Sequence, residues 1–173
     1  MLAYVFWHQP SPGVDPGAYE RALAEFHRVL AADPPKGFRR SWAFKLAGVP
    51  WLGGPGYEDW YLVDGFAALG DLNEASVSAS RKVPHDAVAR LAAEGRGGVY
   101  RLVTGNPNPG ATRAAWLSKP AGRTYPEFVA ALGDRGAATW QRQMVLGPTP
   151  EFCLHEPEGG IPDALMVPVA RVC

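Results

Sequence analysis

Near the start of the chain, the residue best suited to take part in a reaction is His8. It ends a run of aromatic and β-branched residues. This run, residues 2–8, predicts a buried strand because it stops at a cluster of turn-forming residues. Taking the first and third strands of the sheet as parallel neighbours, we expect His8 and Asp64 to lie at one rim. The second strand would then bring Arg40 to the same rim. A histidine, a carboxylate and an arginine grouped in this way could bind an anion or act as a proton relay.

Two of these residues, Asp64 and Arg40, also have structural explanations. Asp64 precedes a predicted helix and suits its N-cap, and arginines such as Arg40 often finish edge strands. A catalytic role for His8 and ligand-binding roles for Arg40 and Asp64 therefore compete with ordinary capping and surface charge.

Aromatic residues in the predicted strands form a second candidate group. Trp42, Trp60, Tyr61 and Tyr100 could line a pocket for a flat apolar ligand, since binding sites favour aromatic walls with few polar groups. Residues of this size also fill cores, which is the alternative explanation. His85 follows a polar segment in the second helical region. We interpret that segment as a flap over the pocket or as a solvated turn, and assign His85 to the ligand-binding group.

Other residues of chemical interest carry weaker signals. Trp51 lies in a loop rich in glycine and proline, which predicts a lid, a plug into a neighbouring subunit, or packing under the loop. His27 is interpreted as a half-exposed residue of the first helix, and His155 as a hairpin-end residue without metal-ligand spacing. The chain has no dinucleotide-binding glycine fingerprint, phosphate-binding loop, zinc-protease His pair or nucleophile elbow. We therefore predict neither a metal site nor a cofactor.

Composition narrows the class of protein. The chain has 173 residues, of which 47% are hydrophobic and 20% charged, which is typical of a globular domain. Seventeen basic and seventeen acidic residues cancel, so no field favours nucleic acid or an anionic membrane as a partner. No apolar run approaches the ~20 residues of a membrane-spanning helix. The only cysteines, Cys153 and Cys173, indicate a reducing compartment, and we expect a cytoplasmic location.

Hydrophobic periodicity predicts the order strand, helix, strand, strand, helical region, strand over residues 1–105. The strands are expected at residues 2–8, 38–46, 57–64 and 99–104. The first helix follows Asp15, and the helical region is split before a second piece that begins near Pro84. The glycine-rich residues 95–98 are expected to end that piece. A turn-rich segment, residues 105–110, marks an internal boundary.

The same order begins again after this boundary, in residues 111–173. A strand is predicted at residues 113–118, a helix at 125–132, a hairpin over 138–146 and 151–156, and a last strand at 165–172. Residues 157–162 are expected to form a loop where a second helix would lie. We therefore predict an α+β fold of two tandem ferredoxin-like halves with antiparallel sheets, the second half shortened, sharing one core.

The first strand indicates that neither face of this sheet is exposed to solvent. Ala3, Val5 and Trp7 are as apolar as the alternate residues Tyr4 and Phe6, so both faces must be covered. Helices would cover one face. A sheet from the second half, or from a second subunit, would cover the other.

This element order, with the strand Tyr57 to Asp64 before a helix, resembles the dimeric α+β barrel superfamily. That superfamily includes antibiotic-biosynthesis-type monooxygenases, EthD-like proteins, dye-decolourising peroxidases and chlorite dismutases. The resemblance implies a barrel that binds a small apolar ligand, with cofactor-free oxidative or isomerase-like chemistry, and it implies a homodimer. Two alternatives stay open: a non-catalytic module that serves oligomerisation, and a haem-binding barrel, although no haem-family motif is visible.

Overall fold

The computed structural model describes all 173 residues as an α+β fold with eight strands and four helices. The strands are β1 (Leu2–Pro10), β2 (Phe38–Val49), β3 (Gly54–Val63), β4 (Ala92–Gly105), β5 (Arg113–Leu117), β6 (Ala138–Arg142), β7 (Phe152–His155) and β8 (Leu165–Arg171). The helices are α1 (Pro16–Ala32), α2 (Phe66–Ser76), α3 (Ala79–Leu91) and α4 (Tyr125–Leu132). No helix is both long enough and apolar enough to span a membrane.

The strands close into one antiparallel barrel in the order β1-β3-β2-β8-β5-β7-β6-β4. Each half contributes four adjacent strands in the ferredoxin-like order, β4-β1-β3-β2 from the first and β8-β5-β7-β6 from the second. The halves meet at two seams, β2 with β8 and β4 with β6. This confirms the predicted fold class, and it shows that the two sheets seal each other within a single chain.

The apolar residues on both faces of β1 are explained by this closure. Ala3, Val5 and Trp7 point into the barrel, whereas Tyr4 and Phe6 point outwards beneath the helices. The interior is dominated by aromatic side chains, and all six tryptophans of the chain lie there. Both faces of the barrel wall are therefore hydrophobic along the strands that lie under helices.

The helices divide unequally between the halves. Helix α1 begins at the predicted proline, and the Asp15 side chain caps it by accepting from the Ala18 backbone N–H. Together with α2 and α3 it covers the first half. The second half has only α4, whose Phe128 and Leu132 pack on the outer face of β5 and β7. Residues 157–164 contain no helix, as predicted.

Predicted boundaries were wrong around β4. The glycine-rich residues 95–98 do not end a helix but form part of β4, which pairs with β1 from Ala92 onwards. The glycines are needed there because the outward rings of β1 lie across them. A Cβ on Gly97 would lie 2.5 Å from the Tyr4 hydroxyl, and one on Gly95 would collide with the Phe6 ring.

One other predicted boundary was wrong. Helix α3 begins at Ala79, not near Pro84, which lies inside it. For the loop residue Trp51, the alternative of packing under its own loop is correct, and the lid and the plug are not. Trp51 is buried in the barrel of its own chain, edge-on to Trp7 and Trp116 at centroid distances of 6.0 and 5.2 Å.

The β4–β6 seam should be sensitive to a single methyl group at Gly105. Gly105 has a φ of +75°, and a Cβ there would collide with the backbone carbonyl of Ala137. Gly122 has a similar φ of +80° but open space around it. We expect Gly122→Ala to cost about 1 kcal/mol for the left-handed backbone alone. Gly105→Ala should cost at least about 1 kcal/mol more, because overpacking adds to that strain. Urea unfolding measures both, and equal losses would contradict the seam geometry.

Candidate functional site

A cavity of about 740 Å³ lies between the outer face of β1, β3 and β4 and helices α1 to α3. Its size falls within the range of small-molecule pockets, roughly 300–1,000 Å³. Fifteen of its 23 lining residues are hydrophobic, and aromatic rings of β1 and β3 form much of the wall. The polar lining residues His8, Tyr19 and Asp59 are fully buried at its base.

The buried polar residues form a network around the Asp59 carboxylate. His8 Nε2 lies 3.1 Å from Asp59 Oδ1, and His27 Nε2 lies 3.6 Å from Oδ2. The Tyr61 hydroxyl donates to Oδ2 at 2.9 Å. Neither histidine nor the aspartate exposes more than 5% of its surface. A carboxylate this deeply buried is stabilised only when charged or hydrogen-bonding partners surround it.

Each histidine is held by a hydroxyl at its other nitrogen. His8 Nδ1 lies 2.6 Å from the Tyr19 hydroxyl, and His27 Nδ1 lies 2.7 Å from Ser41 Oγ. The carboxylate beside Nε2 of His8 favours the proton on that nitrogen, which leaves Nδ1 to accept from Tyr19. The result is a series of polar contacts, Tyr19–His8–Asp59–His27–Ser41, which we call the Asp59 relay. Its two histidine–carboxylate steps are close contacts and not aligned hydrogen bonds, since neither Nε2 atom has a hydrogen-bond partner.

The two imidazoles flank the carboxylate instead of converging on a shared point. His8 stacks on Tyr57 and His27 on Tyr61, which are the residues on either side of Asp59 along the outer face of β3. No group of three or more His, Cys, Asp or Glu side chains has the geometry of a metal site. The arrangement is suited to moving or holding a proton.

The electrostatics follow from this geometry. Burial alone would raise the pKa of Asp59, but the neighbouring His8 and His27 outweigh it and hold that pKa well below its usual range. Burial and the Asp59 charge raise the pKa of Tyr19 and of Tyr61. Burial, followed by the Glu20 hydrogen bond, raises the pKa of Tyr57 to about 12. Near neutral pH, the relay therefore contains an ionised aspartate surrounded by protonated tyrosines.

Of the residues predicted from sequence, three reach this cavity. His8, Tyr61 and His85 all line it, and His85 packs edge-on against Phe26 of α1 at 5.7 Å. His8 belongs to the relay itself. His85 lies at a more exposed part of the cavity and has no contact with Asp59 in the relay.

The predicted grouping of His8 with Asp64 and Arg40 is wrong. Strands β1 and β3 are antiparallel, with His8 opposite Tyr57 and Leu2 opposite Val63, so His8 and Asp64 lie at opposite ends of the sheet. In this fold β1 is parallel to β2, with β3 inserted between them. Arg40 does lie at the Asp64 end, but that rim is exposed, and Asp64 pairs there with Arg39.

Three predicted ligand-binding aromatic residues lie elsewhere. Trp42, Trp60 and Tyr100 point into the barrel interior, where each is fully buried, and none of them lines the cavity. Alternation explains this placement, because Trp60 is one residue removed from the outward-facing Asp59 and Tyr61. Their position agrees with the alternative explanation, that they fill the core.

Sequence reasoning missed Asp59, Tyr19 and His27. A usable signal existed for Asp59: if both faces of β3 are covered, the adjacent Glu58 and Asp59 must both be buried, one on each side. His27 was expected to be half-exposed. It lies four residues after Leu23 and eight after Tyr19, on the same apolar face of α1, and is 5% exposed. The helical spacing predicts that burial.

Removing the charge at the centre of the relay should destabilise the protein. We expect Asp59→Asn to lower the free energy of unfolding by about 3 kcal/mol at pH 7, because it leaves the buried His8, His27 and Tyr61 without the carboxylate that they surround. The depressed pKa of Asp59 stabilises the fold above the ordinary pKa of an aspartate, and this contribution is lost as the pH falls below it. The difference from wild type should therefore shrink between pH 5 and pH 2, roughly.

Urea unfolding at several pH values measures this difference. The matched control is Asp64→Asn, which removes an exposed carboxylate paired with Arg39 and should cost about 0.5 kcal/mol. An Asp59→Asn loss that is small, or that does not change on acidification, would show that the carboxylate is not stabilised by its histidines.

Comparison with known proteins shows the fold. No protein-family model matches this chain, and no curated protein matches it by sequence. Among solved structures, a proposed monooxygenase from Lactobacillus acidophilus is similar over 99% of this chain and 94% of its own, with a TM-score of 0.61 and 10% identity. A proposed chlorite dismutase covers 99% of this chain and 95% of its own at a TM-score of 0.53 and 9% identity.

An anthrone oxidase-like protein is similar over 89% of this chain and 70% of its own, with a TM-score of 0.50 and 13% identity. At such low identities the likeness shows a shared architecture and no shared chemistry. The chain has an α+β barrel fold similar to that of these structures.

Proposed function

We propose that this protein binds a small, mostly apolar molecule in the helix-covered cavity and removes an acidic proton from it through the Asp59 relay. The observation that carries the proposal is the position of the relay: a buried Asp–His–Tyr series forms the base of a large hydrophobic cavity. We also propose that this first chemical step, the removal of the proton, needs no cofactor.

The cavity wall supports the choice of ligand. The rings of Tyr4 and Phe6 on β1 are stacked, with an angle of 20° between their planes. The Tyr4 ring also stacks on Tyr61. Leu23 and Phe26 of α1 face them across the cavity. Such walls favour flat, hydrophobic molecules, and the few polar groups at the base would orient a single hydroxyl, carbonyl or acidic C–H.

The relay supplies a base with a defined proton route. As a ligand proton passes to the Tyr19 oxygen, the Tyr19 proton passes to His8 Nδ1. The imidazolium formed is stabilised by Asp59, whose carboxylate lies 3.1 Å from Nε2. This is the role that a carboxylate performs for histidine in catalytic triads. His27 and Tyr61 hold the carboxylate on its other side.

The anion left on the ligand has two outcomes. Return of the proton to a different carbon atom gives an isomer, with no other reactant. Alternatively, the anion passes electrons to dioxygen; a methylene group then becomes a carbonyl, one oxygen atom stays in the product and the other leaves as water. The names of the fold neighbours, a proposed monooxygenase and an anthrone oxidase-like protein, support testing dioxygen as the co-substrate.

The proton-transfer step can be tested without knowing the natural ligand. 2-Tetralone is a flat, mostly apolar ketone with an acidic C–H, and its exchange with deuterium is followed by proton NMR in D₂O. We expect the protein to accelerate this exchange at least about a hundredfold over buffer, the lower end of the range for general bases. Tyr19→Phe keeps the ring but removes the relay hydroxyl, and His8→Asn removes the imidazole. Both variants should lose most of the acceleration.

Asp64→Asn, at the opposite rim of the sheet, is the matched control and should exchange at the wild-type rate. Binding of 2-tetralone by Tyr19→Phe, measured by calorimetry, separates lost chemistry from lost binding. If wild type binds the ketone but gives no more exchange than buffer, the cavity binds ligands without acting on them. An oxygen electrode then reports whether the exchanging protein also consumes dioxygen.

Filling the cavity should block binding while leaving the fold intact. Gly70 lines the cavity on α2, and a Cβ at this position would meet nothing within 4 Å. We expect Gly70→Phe to weaken 2-tetralone binding at least tenfold, since Gly70 lies at the exposed rim of the cavity and a ring there would cover its entrance. Gly122→Ala, on the other half of the chain, serves as the control. Unchanged affinity in Gly70→Phe would place the ligand outside this cavity.

A further inference from the structure

The barrel interior contains polar atoms that the protein itself does not satisfy. Trp7 and Trp60 both donate their indole N–H groups to Glu58, each at 2.6 Å, and Tyr100 bonds to Thr149. In contrast, both nitrogens of His155 have no hydrogen-bond partner within the protein, although the residue is 0% exposed. A buried histidine with both nitrogens unpaired is costly, because it has given up its hydrogen bonds to water.

Two further unpaired donors belong to rings that pack on the same tryptophan as this histidine. The indole N–H groups of Trp42 and Trp140 also lack a protein partner. Both of these rings pack on Trp60, at centroid distances of 6.0 and 5.1 Å, and the His155 ring packs on the same indole at 4.7 Å. Three side chains with unpaired polar atoms therefore surround a single tryptophan.

The strands on either side of His155 carry small side chains at this level. His155 on β7 is flanked across the sheet by Ala114 of β5 and Ala138 of β6. Both alanines are fully buried and face the interior, so each neighbouring position of the wall carries only a methyl group. The histidine is thus not enclosed by large side chains on either adjacent strand.

The charges favour a neutral molecule there. Burial lowers the pKa of His155 to about 4, so near neutral pH the ring is uncharged, with one N–H donor and one lone pair. Burial raises the pKa of Glu58, on β3 across the barrel from β7, to about 7, although its two indole hydrogen bonds lower it. A carboxylate in the same interior disfavours an anion, and the two indoles offer no acceptor to a cation.

We propose that the barrel interior binds ordered water at His155, hydrogen-bonded to its imidazole nitrogens and to the indole N–H groups of Trp42 and Trp140. Water is the smallest molecule that both donates to the imidazole lone pair and accepts from the N–H groups. Buried waters make about three hydrogen bonds each, so the four unpaired atoms need one or two waters, roughly. This site is separate from the helix-covered cavity, which lies on the other side of the barrel wall.

The test uses purified wild-type protein and two variants. Oxygen-17 relaxation dispersion counts long-lived waters, and water-selective NMR detects transfer from water to the indole protons of Trp42 and Trp140. We expect both signals in wild type. His155→Phe should remove at least one long-lived water, because its ring fills the space and offers no hydrogen bond. The matched control, His85→Phe, changes a half-exposed histidine outside the barrel and should leave the count unchanged.

Two results would overturn the proposal. One is an unchanged count of long-lived waters in folded His155→Phe. The other is a wild-type protein that shows no transfer from water to either indole and takes up xenon beside His155, the behaviour of a dry chamber. Should His155→Phe fail to fold, the wild-type NMR and xenon measurements decide the question alone.

Discussion

Two successive carboxylates of β3 leave the barrel wall on opposite sides, and both are removed from water. This constraint organises much of the molecule. Glu58 points inwards and accepts from two indoles. Asp59 points outwards and lies between two histidines. The hydrogen bonds of neutral donors leave the pKa of Glu58 raised by burial, to about 7, whereas imidazoles hold the pKa of Asp59 far lower. Neighbouring carboxyl groups with such different environments are a recognised basis for dividing chemical roles.

The order of elements could be predicted because each signal was local. The proline after Asp15 marked the start of α1, and the regular spacing of Tyr19, Leu23, Phe26 and Leu30 gave its buried face. The apolar residues on both sides of β1 required a second layer, and the closed barrel provides it. The predicted division at residues 105–111 falls between the end of β4 and the start of β5. The repeat of the same element order in residues 111–173 predicts that the two halves arose by duplication.

The candidate site was less predictable, because its composition depends on the sense in which strands pair. His8 was identified as a site residue from its place at the end of β1. Its partners were assigned on the assumption that β1 and β3 are parallel. That assumption placed Asp64 and Arg40 at the same end of the sheet as His8, whereas they lie at the opposite end. With antiparallel pairing, Asp59 becomes the nearest carboxylate. The prediction that the glycines of β4 end a helix was wrong for a similar reason. Their role depends on the rings of Tyr4 and Phe6, which lie on the neighbouring strand β1.

Because the barrel closes within one polypeptide, its two halves can differ from each other. In a barrel assembled from two identical subunits, every feature of one sheet is repeated in the other. Here the first half carries three covering helices and the cavity, whereas the second carries the single helix α4 and a loop. The second half seals the inner face of the first sheet. The proposed binding site is formed by the first half alone, so it occurs once in each chain.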